Sequence, residues 1–230
     1  MTDIYFIKKF VRELKMQYSL EIQNVVNGAL SELKQQHAAG KLADTPITNT
    51  HFLARWVTKS IKSQCFNSCV KDDLLRWQKA SRSKGAGSDL LGIFERISEL
   101  YQRLVPIGEE HVPILDVHIE AFMDHMESVG WEVVNEFELT EKTQIFADQP
   151  NSFVLCAKQC DDCFEGSDLV KPMSFFVRGN HTAFVLEASN NGFLVHKQTD
   201  YKSIVKYHGE YRIFPKNEGN KLAEIPFKFS

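Results

Sequence analysis

The sequence predicts an α+β fold: a helical N-terminal half of about five helices, then a smaller mixed α+β half. Two observations carry this. Up to about residue 130 the apolar residues recur at steps of three and four, the period of one buried helical face. From Trp131 onward, short β-branched and aromatic runs alternate with Gly, Pro and Asn, which is the pattern of strands and turns. We therefore expect a helical domain over 1–130 and an α+β domain over 131–230.

The elements follow in order. Ile22, Val25, Val26, Ala29, Leu30 and Leu33 mark one helical face, ended by Gly40. Ile4 to Met16 forms either a separate helix or the same one extended. A loop with Pro46 leads to Thr48, Asn49 and Thr50, expected caps for a helix burying Phe52, Leu53, Trp56, Val57 and Ile61. A helix with Leu74, Leu75 and Trp77 runs into the loop SRSKGAG, and Ser88 with Asp89 opens another that continues to Pro106. The fifth spans about Leu115 to Val129 and stops at Gly130. In the second half WEVVNEF, SFVLC, MSFFV, FLVHKQ, YRIF and IPFKF are the expected strands, with one helix in HTAFVLEASNNG ended by Gly192.

With 230 residues, 43% of them hydrophobic and 25% charged, and a net charge of -3, the composition is that of a globular chain with a sizeable core. No uncharged apolar run reaches spanning length, so no membrane partner is expected. The N-terminal MTDIYFIKKFVRELK is interrupted by Lys8 and Lys9 and lacks the apolar region of a secretory leader. A cytoplasmic location with reduced cysteines is the expectation.

Three of the five cysteines, Cys156, Cys160 and Cys163, form a C-x3-C-x2-C array. Metal binds thiolates, and Asp161 and Asp162 between the sulfurs would raise the thiol pKa values without a cation and complement one if present. Zinc prefers four tetrahedral N/S ligands, so a Zn site of Cys156, Cys160, Cys163 and His181 is one expectation, with His196 in reserve. Two other readings stand beside it: a thiol–disulfide pair of Cys160 and Cys163, or a buried strand end at Cys156 with the other two in a loop. The spacing also resembles the iron–sulfur motif of radical S-adenosylmethionine enzymes, but too little chain follows it for their barrel. Cys65 and Cys69 are expected to be buried and inert, and Trp56 and Trp77 to be core.

Charge is unevenly spread. Over 49–84 eight Lys/Arg face two Asp, a net of +6, whereas over 85–150 fourteen Asp/Glu face three Lys/Arg, a net of -11. Arg55, Lys59 and Lys62 share a helical face, and with Arg76, Lys79, Arg82 and Lys84 they make a candidate nucleic-acid surface on two helices joined by a turn. A solvated or internally neutralised face explains the same residues. Near the C-terminus Asp200, Lys202, His208, Glu210 and Arg212 gather in DYKSIVKYHGEYR. That gathering suits either an acid–base cluster of a small-substrate enzyme or an exposed hairpin.

The stretches THFLARWVTKSIK, RWQKASRSKGA, LCAKQCDDCFEG, VKPMSFFVRGNH and LVHKQTDYKSIVKYHGEYRIFP resemble a gammaproteobacterial, Vibrio-type domain of unknown function family, number 2913. The resemblance implies a bacterial, cytoplasmic protein and brings no catalytic or binding residue with it. Together these features point to a metal-stabilised interaction or regulatory protein with a protein or nucleic-acid partner, the enzyme being the alternative.

Overall fold

A computed structural model describes residues 2–227, with side chains from Tyr18 onward. The chain is an α+β protein and divides into two compact units. One takes in the described residues up to Arg103 together with Asn220–Leu222; the other runs Leu104–Gly219 and resumes at Ala223. No helix among the described residues is long and apolar enough to cross a membrane.

The first unit is helical. A single helix, α1 (Thr2–Ala38), covers both stretches that the periodicity marked. It is followed by α2 (Pro46–Ser63), α3 (Lys71–Lys84) and α4 (Leu90–Leu104). The start of α2 lies earlier than expected. Thr45 is its N-cap, exchanging bonds with Thr48, and Pro46 is the first helical residue, where its missing N–H costs nothing. Gln64 ends the helix in the left-handed conformation (φ 50°), and the chain turns into α3. The core is Ile22, Val25, Val26 and Ala29 of α1, Leu53 and Val57 of α2, Leu74 and Trp77 of α3, and Phe94, Ile97 and Leu100 of α4. Trp77 meets Phe94 edge-on at 4.7 Å. Trp56 is half-buried over Gly28, and its indole N–H donates to Glu32 at 2.8 Å.

The second unit is built on a five-stranded sheet of order β1-β2-β5-β7-β6: β1 (Glu132–Val134), β2 (Ser152–Val154), β5 (Met173–Arg178), β7 (Gly209–Ile213) and β6 (His196–Thr199). Only β1 and β2 are parallel. A small hairpin, β3 (Phe164–Glu165) with β4 (Asp168–Leu169), follows a short helix, α6 (Ala157–Asp162). One of the three readings of the cysteine array puts Cys160 and Cys163 in a loop; instead Cys160 lies within α6 and Cys163 ends it. Of the expected strand IPFKF, the described residues Ile225 to Phe227 are not in a strand, and the rest lies outside the described residues.

Strand alternation divides this unit's core. Phe153, Phe175, Val177, Tyr211 and Ile213 point to one face, where α5 (Asp116–Ser128) brings Ile119, Phe122 and Met126 and α7 (His181–Asn190) brings Phe184 and Ala188. Phe122 lies 5.2 to 6.1 Å from the rings of Phe153, Phe175, Phe184 and Phe193. The helix before Gly130 is thus packed on the sheet, although its sequence period matches the helices before it. Val154 and Phe176 point to the other face, with Cys156, Leu139 and Val205. Gly130 (φ 85°) and Gly192 (φ 90°) stop α5 and α7 in a backbone conformation that a side chain would strain.

Candidate functional site

A set of exposed cations lies in the helical unit, where α2 and α3 leave an open groove of about 770 Å³. On α2, Leu53, Val57 and Ser60 face the core, so His51, Arg55, Thr58, Lys59, Lys62 and Ser63 come to the groove by helical spacing alone. From α3 come Ser81 and Arg82. The hydroxyls are turned inward: Thr58 donates to Ala54 O at 2.8 Å and accepts from Gln78 at 3.1 Å, and Ser81 donates to Gln78 O at 2.9 Å. The cations are turned outward. Arg55, Lys59, Lys62 and Arg82 are exposed and make no ion pair among the described residues, and no carboxylate lines the groove. Four like charges beside one another repel, which favours a bound anion.

The other three basic residues of the candidate surface lie outside this groove. Arg76 is tied to Asp73 at 2.6 Å, and Asp73 also accepts the Tyr18 hydroxyl at 2.7 Å. Burial raises the Asp73 carboxyl above its ordinary range, opposed by Tyr18 and Arg76. Arg76 therefore serves the helical core. Lys79 and Lys84 are exposed and do not line the groove. Cys65 is exposed and Cys69 half-buried, against the expectation that both are buried, because Gln64 and Asn67 turn the chain out between α2 and α3.

The cysteines of the array pack into two different hydrophobic clusters. Cys156 caps α6 and is buried on the second face with Val154 and Phe176, where its Sγ accepts the Leu139 N–H at 3.2 Å. Cys163, at the other end of α6, is buried on the first face, and its thiol lies 3.6 Å from Pro172 O. Cys160 is half-buried at the edge of that same cluster. Burial raises the Cys160 thiol, with Cys156 and Asp161 adding to it, and burial also raises Cys163, so these two favour the protonated thiol. Among the described residues no group of three His, Cys, Asp or Glu converges as a metal site.

His181, the expected fourth ligand, opens α7 and sits beside β7. Its Nδ1 is 2.8 Å from the hydroxyl of buried Tyr211, which has no other partner to donate to among the described residues. One of these two groups donates to the other, and His181 Nε2 is buried without a hydrogen-bond partner among the described residues. Burial, then Lys197, lowers the His181 pKa, so the ring is neutral. The approach to β7 is close: a Cβ on Gly209 would stand 2.7 Å from Asp200 O and 2.7 Å from His181 Cε1. His196 is buried edge-on to Phe214 at 5.0 Å.

His208 and Glu210 do not act together. His208 Nδ1–H donates to Lys206 O at 2.8 Å, which leaves Nε2 to accept from Ser152 Oγ at 2.9 Å. Ser152 Oγ accepts in turn from Arg178 Nε at 3.2 Å, and Arg178 also holds Ala147 O and Gln149 O. A serine hydroxyl on a histidine nitrogen is the pairing of a nucleophile and its base. Here both residues are 0% exposed, so the pair is sealed from any substrate and pins the chain around residues 147–149 to the sheet. Glu210 instead accepts from Ser174 at 2.8 Å and Arg212 at 2.7 Å. Ser152 and Arg178 were missed in the sequence; their pairing is a cross-strand one, Ser152 opposite Arg178, and only the register of β2 on β5 brings it out.

These features define an α+β protein that has, among the described residues, a cationic groove without ion pairs and a polar network closed to solvent. The chain belongs to the family described as "Protein of unknown function (DUF2913)", whose model matches residues 17–226 and so takes in both units. No curated protein and no solved structure matches the chain.

Proposed function

We propose that this protein is a non-enzymatic interaction protein that binds the phosphate backbone of a nucleic acid in the groove between α2 and α3. One observation supports the reading: Arg55, Lys59, Lys62 and Arg82 line a single groove with no carboxylate and, among the described residues, no ion pair to neutralise them. Guanidinium and ammonium groups are the usual partners of phosphate oxygens. The arrangement favours backbone over base recognition. Arg76, the cation in the middle of α3, is spent on Asp73, and Gln78, which suits an adenine edge, is bonded to Thr58.

Fluorescence anisotropy of a labelled oligonucleotide tests this. Four phosphate contacts predict a log–log salt slope of about -3 to -4, close to a hundredfold loss of affinity between 50 and 200 mM salt. Arg55→Glu/Lys59→Glu/Lys62→Glu is expected to abolish binding without changing the thermal melt, because all three side chains are exposed. Absence of binding at low salt, or binding that the triple variant keeps, overturns the proposal.

A further inference from the structure

The loop between β6 and β7 shows its rings and hides its small residues. Ser203, Val205 and His208 are buried, while Tyr201 and Tyr207 are 65% and 66% exposed, with Lys202, Ile204 and Lys206 among them. Exposed aromatic residues on a slack loop would mean little, but this loop is fixed. Thr143 N donates to Ile204 O and Lys206 N to Thr143 O, both at 2.8 Å, and Val205 lies in the core. Tyr201 rests edge-on against His181 at 5.8 Å. Tyr207 holds a left-handed backbone (φ 65°), where an Asn or Gly would cost less if turning were the only requirement.

The segment at Thr143 runs alongside and carries Lys142 and Phe146, the latter 83% exposed. Lys142, Lys202 and Lys206 make no ion pair among the described residues. Of the nearby acids, Asp200 is held by Lys197, and Glu141 and Asp148 are exposed. Rings interleaved with lysines that make no ion pair among the described residues suit a chain of bases and phosphates. A protein partner would ask for fewer lysines at the centre of the patch, and a duplex keeps its base faces stacked inside.

We infer that the 199–209 loop is a stacking surface for single-stranded nucleic acid, with Tyr201 and Tyr207 taking unpaired bases and Lys202 and Lys206 their phosphates. The inference rests on the nucleic-acid reading given above and adds to it a preference for single strands. Base–aromatic stacking is sequence-tolerant, so oligo(dT) is a fair probe.

The test compares labelled single-stranded oligo(dT) with a duplex of the same length on the intact protein. Tyr201→Ala/Tyr207→Ala is expected to weaken the single strand by about tenfold or more, leaving duplex affinity and the thermal melt unchanged. Tyr201→Phe/Tyr207→Phe keeps the rings and should keep the affinity. Lys202→Gln/Lys206→Gln should make the salt slope for the single strand shallower by about 1.4. Equal loss on both forms, or no loss on either, overturns the inference. The groove is judged separately by Arg55→Glu/Lys59→Glu/Lys62→Glu: if that variant keeps its affinity while the tyrosine variant loses the single strand, the groove reading falls and the loop stands. No binding by the intact protein overturns both.

Discussion

The helical unit and the sheet unit handle their polar residues in opposite ways. In the α2–α3 groove the hydroxyls bond to backbone and the cations stay unpaired; around β2 and β7 the histidine, the serine and the arginine all satisfy one another. Both regions are rich in residues that carry chemistry. What separates them is whether those residues have spent their hydrogen bonds and charges inside the chain, since a group already satisfied and buried has nothing left for a ligand.

The contrast can be broken most severely at His208. Replacing it with Ala leaves Ser152 and Lys206 O without their buried partner and opens a cavity, so a loss of about 2–4 kcal/mol is expected, measured by urea unfolding. A loss under about 0.5 kcal/mol would show that the network is not structural. On the helical side, Arg76→Ala removes the ion-pair partner of Asp73 and is expected to cost about 1–2 kcal/mol at neutral pH, while Lys59→Ala stays within about 0.5 kcal/mol of the parent. Equal costs for the two would erase the distinction between spent and free cations.

Acid sharpens the comparison. Burial lowers the pKa of His181 and of His208 below the ordinary value of 6.5, so in the window just under 6.5 the unfolded chain binds more protons than the folded one. Their contribution is present above that value and is lost as pH falls through the depressed folded values. Asp73 runs the other way. Its carboxyl is raised, so its contribution is complete below the ordinary value of 3.8 and declines as pH rises through the folded one. A melt followed from pH 7 to 5 should therefore fall, and His208→Gln should flatten that fall.

The smallest effect is expected at the cysteine array. Cys160→Ser or a chelator should shift the melt by less than about 0.5 kcal/mol, and elemental analysis of protein purified without chelator should return well under one metal per chain. One zinc per chain would show that the Cys156 thiol can leave the Leu139 amide to join Cys160 and Cys163.

What the sequence made legible depended on how local the determinant was. The five N-terminal helices, α7 and most strands follow from periods of 3.6 and 2, and the stops at Gly130 and Gly192 from a positive φ that few residues tolerate. Arg55, Lys59 and Lys62 could be put on one face for the same reason. That Arg82 joins them while Arg76 does not is tertiary: Asp73 is three residues from Arg76, but Tyr18, which fixes that carboxylate, is 55 residues from it. Cysteine spacing records nearness along the chain, whereas Cys156 and Cys163, at the two ends of α6, pack into different hydrophobic clusters. His181 likewise finds Tyr211, 30 residues away, by the placing of α7 beside β7.

The tight fit at Gly209 has a meaning for variation in this chain. With the Asp200 carbonyl and the His181 ring both 2.7 Å from where a first side-chain carbon would stand, even alanine must push apart the start of β7 and the start of α7. Two residues earlier, Tyr207 projects into solvent, and any side chain that accepts its backbone turn can stand there without touching the core. In a saturation library scored first for folding and then for binding, position 209 should be nearly silent in the second score because so little survives the first. Position 207 should show the reverse, a broad tolerance for folding that narrows to aromatic residues once a ligand is added.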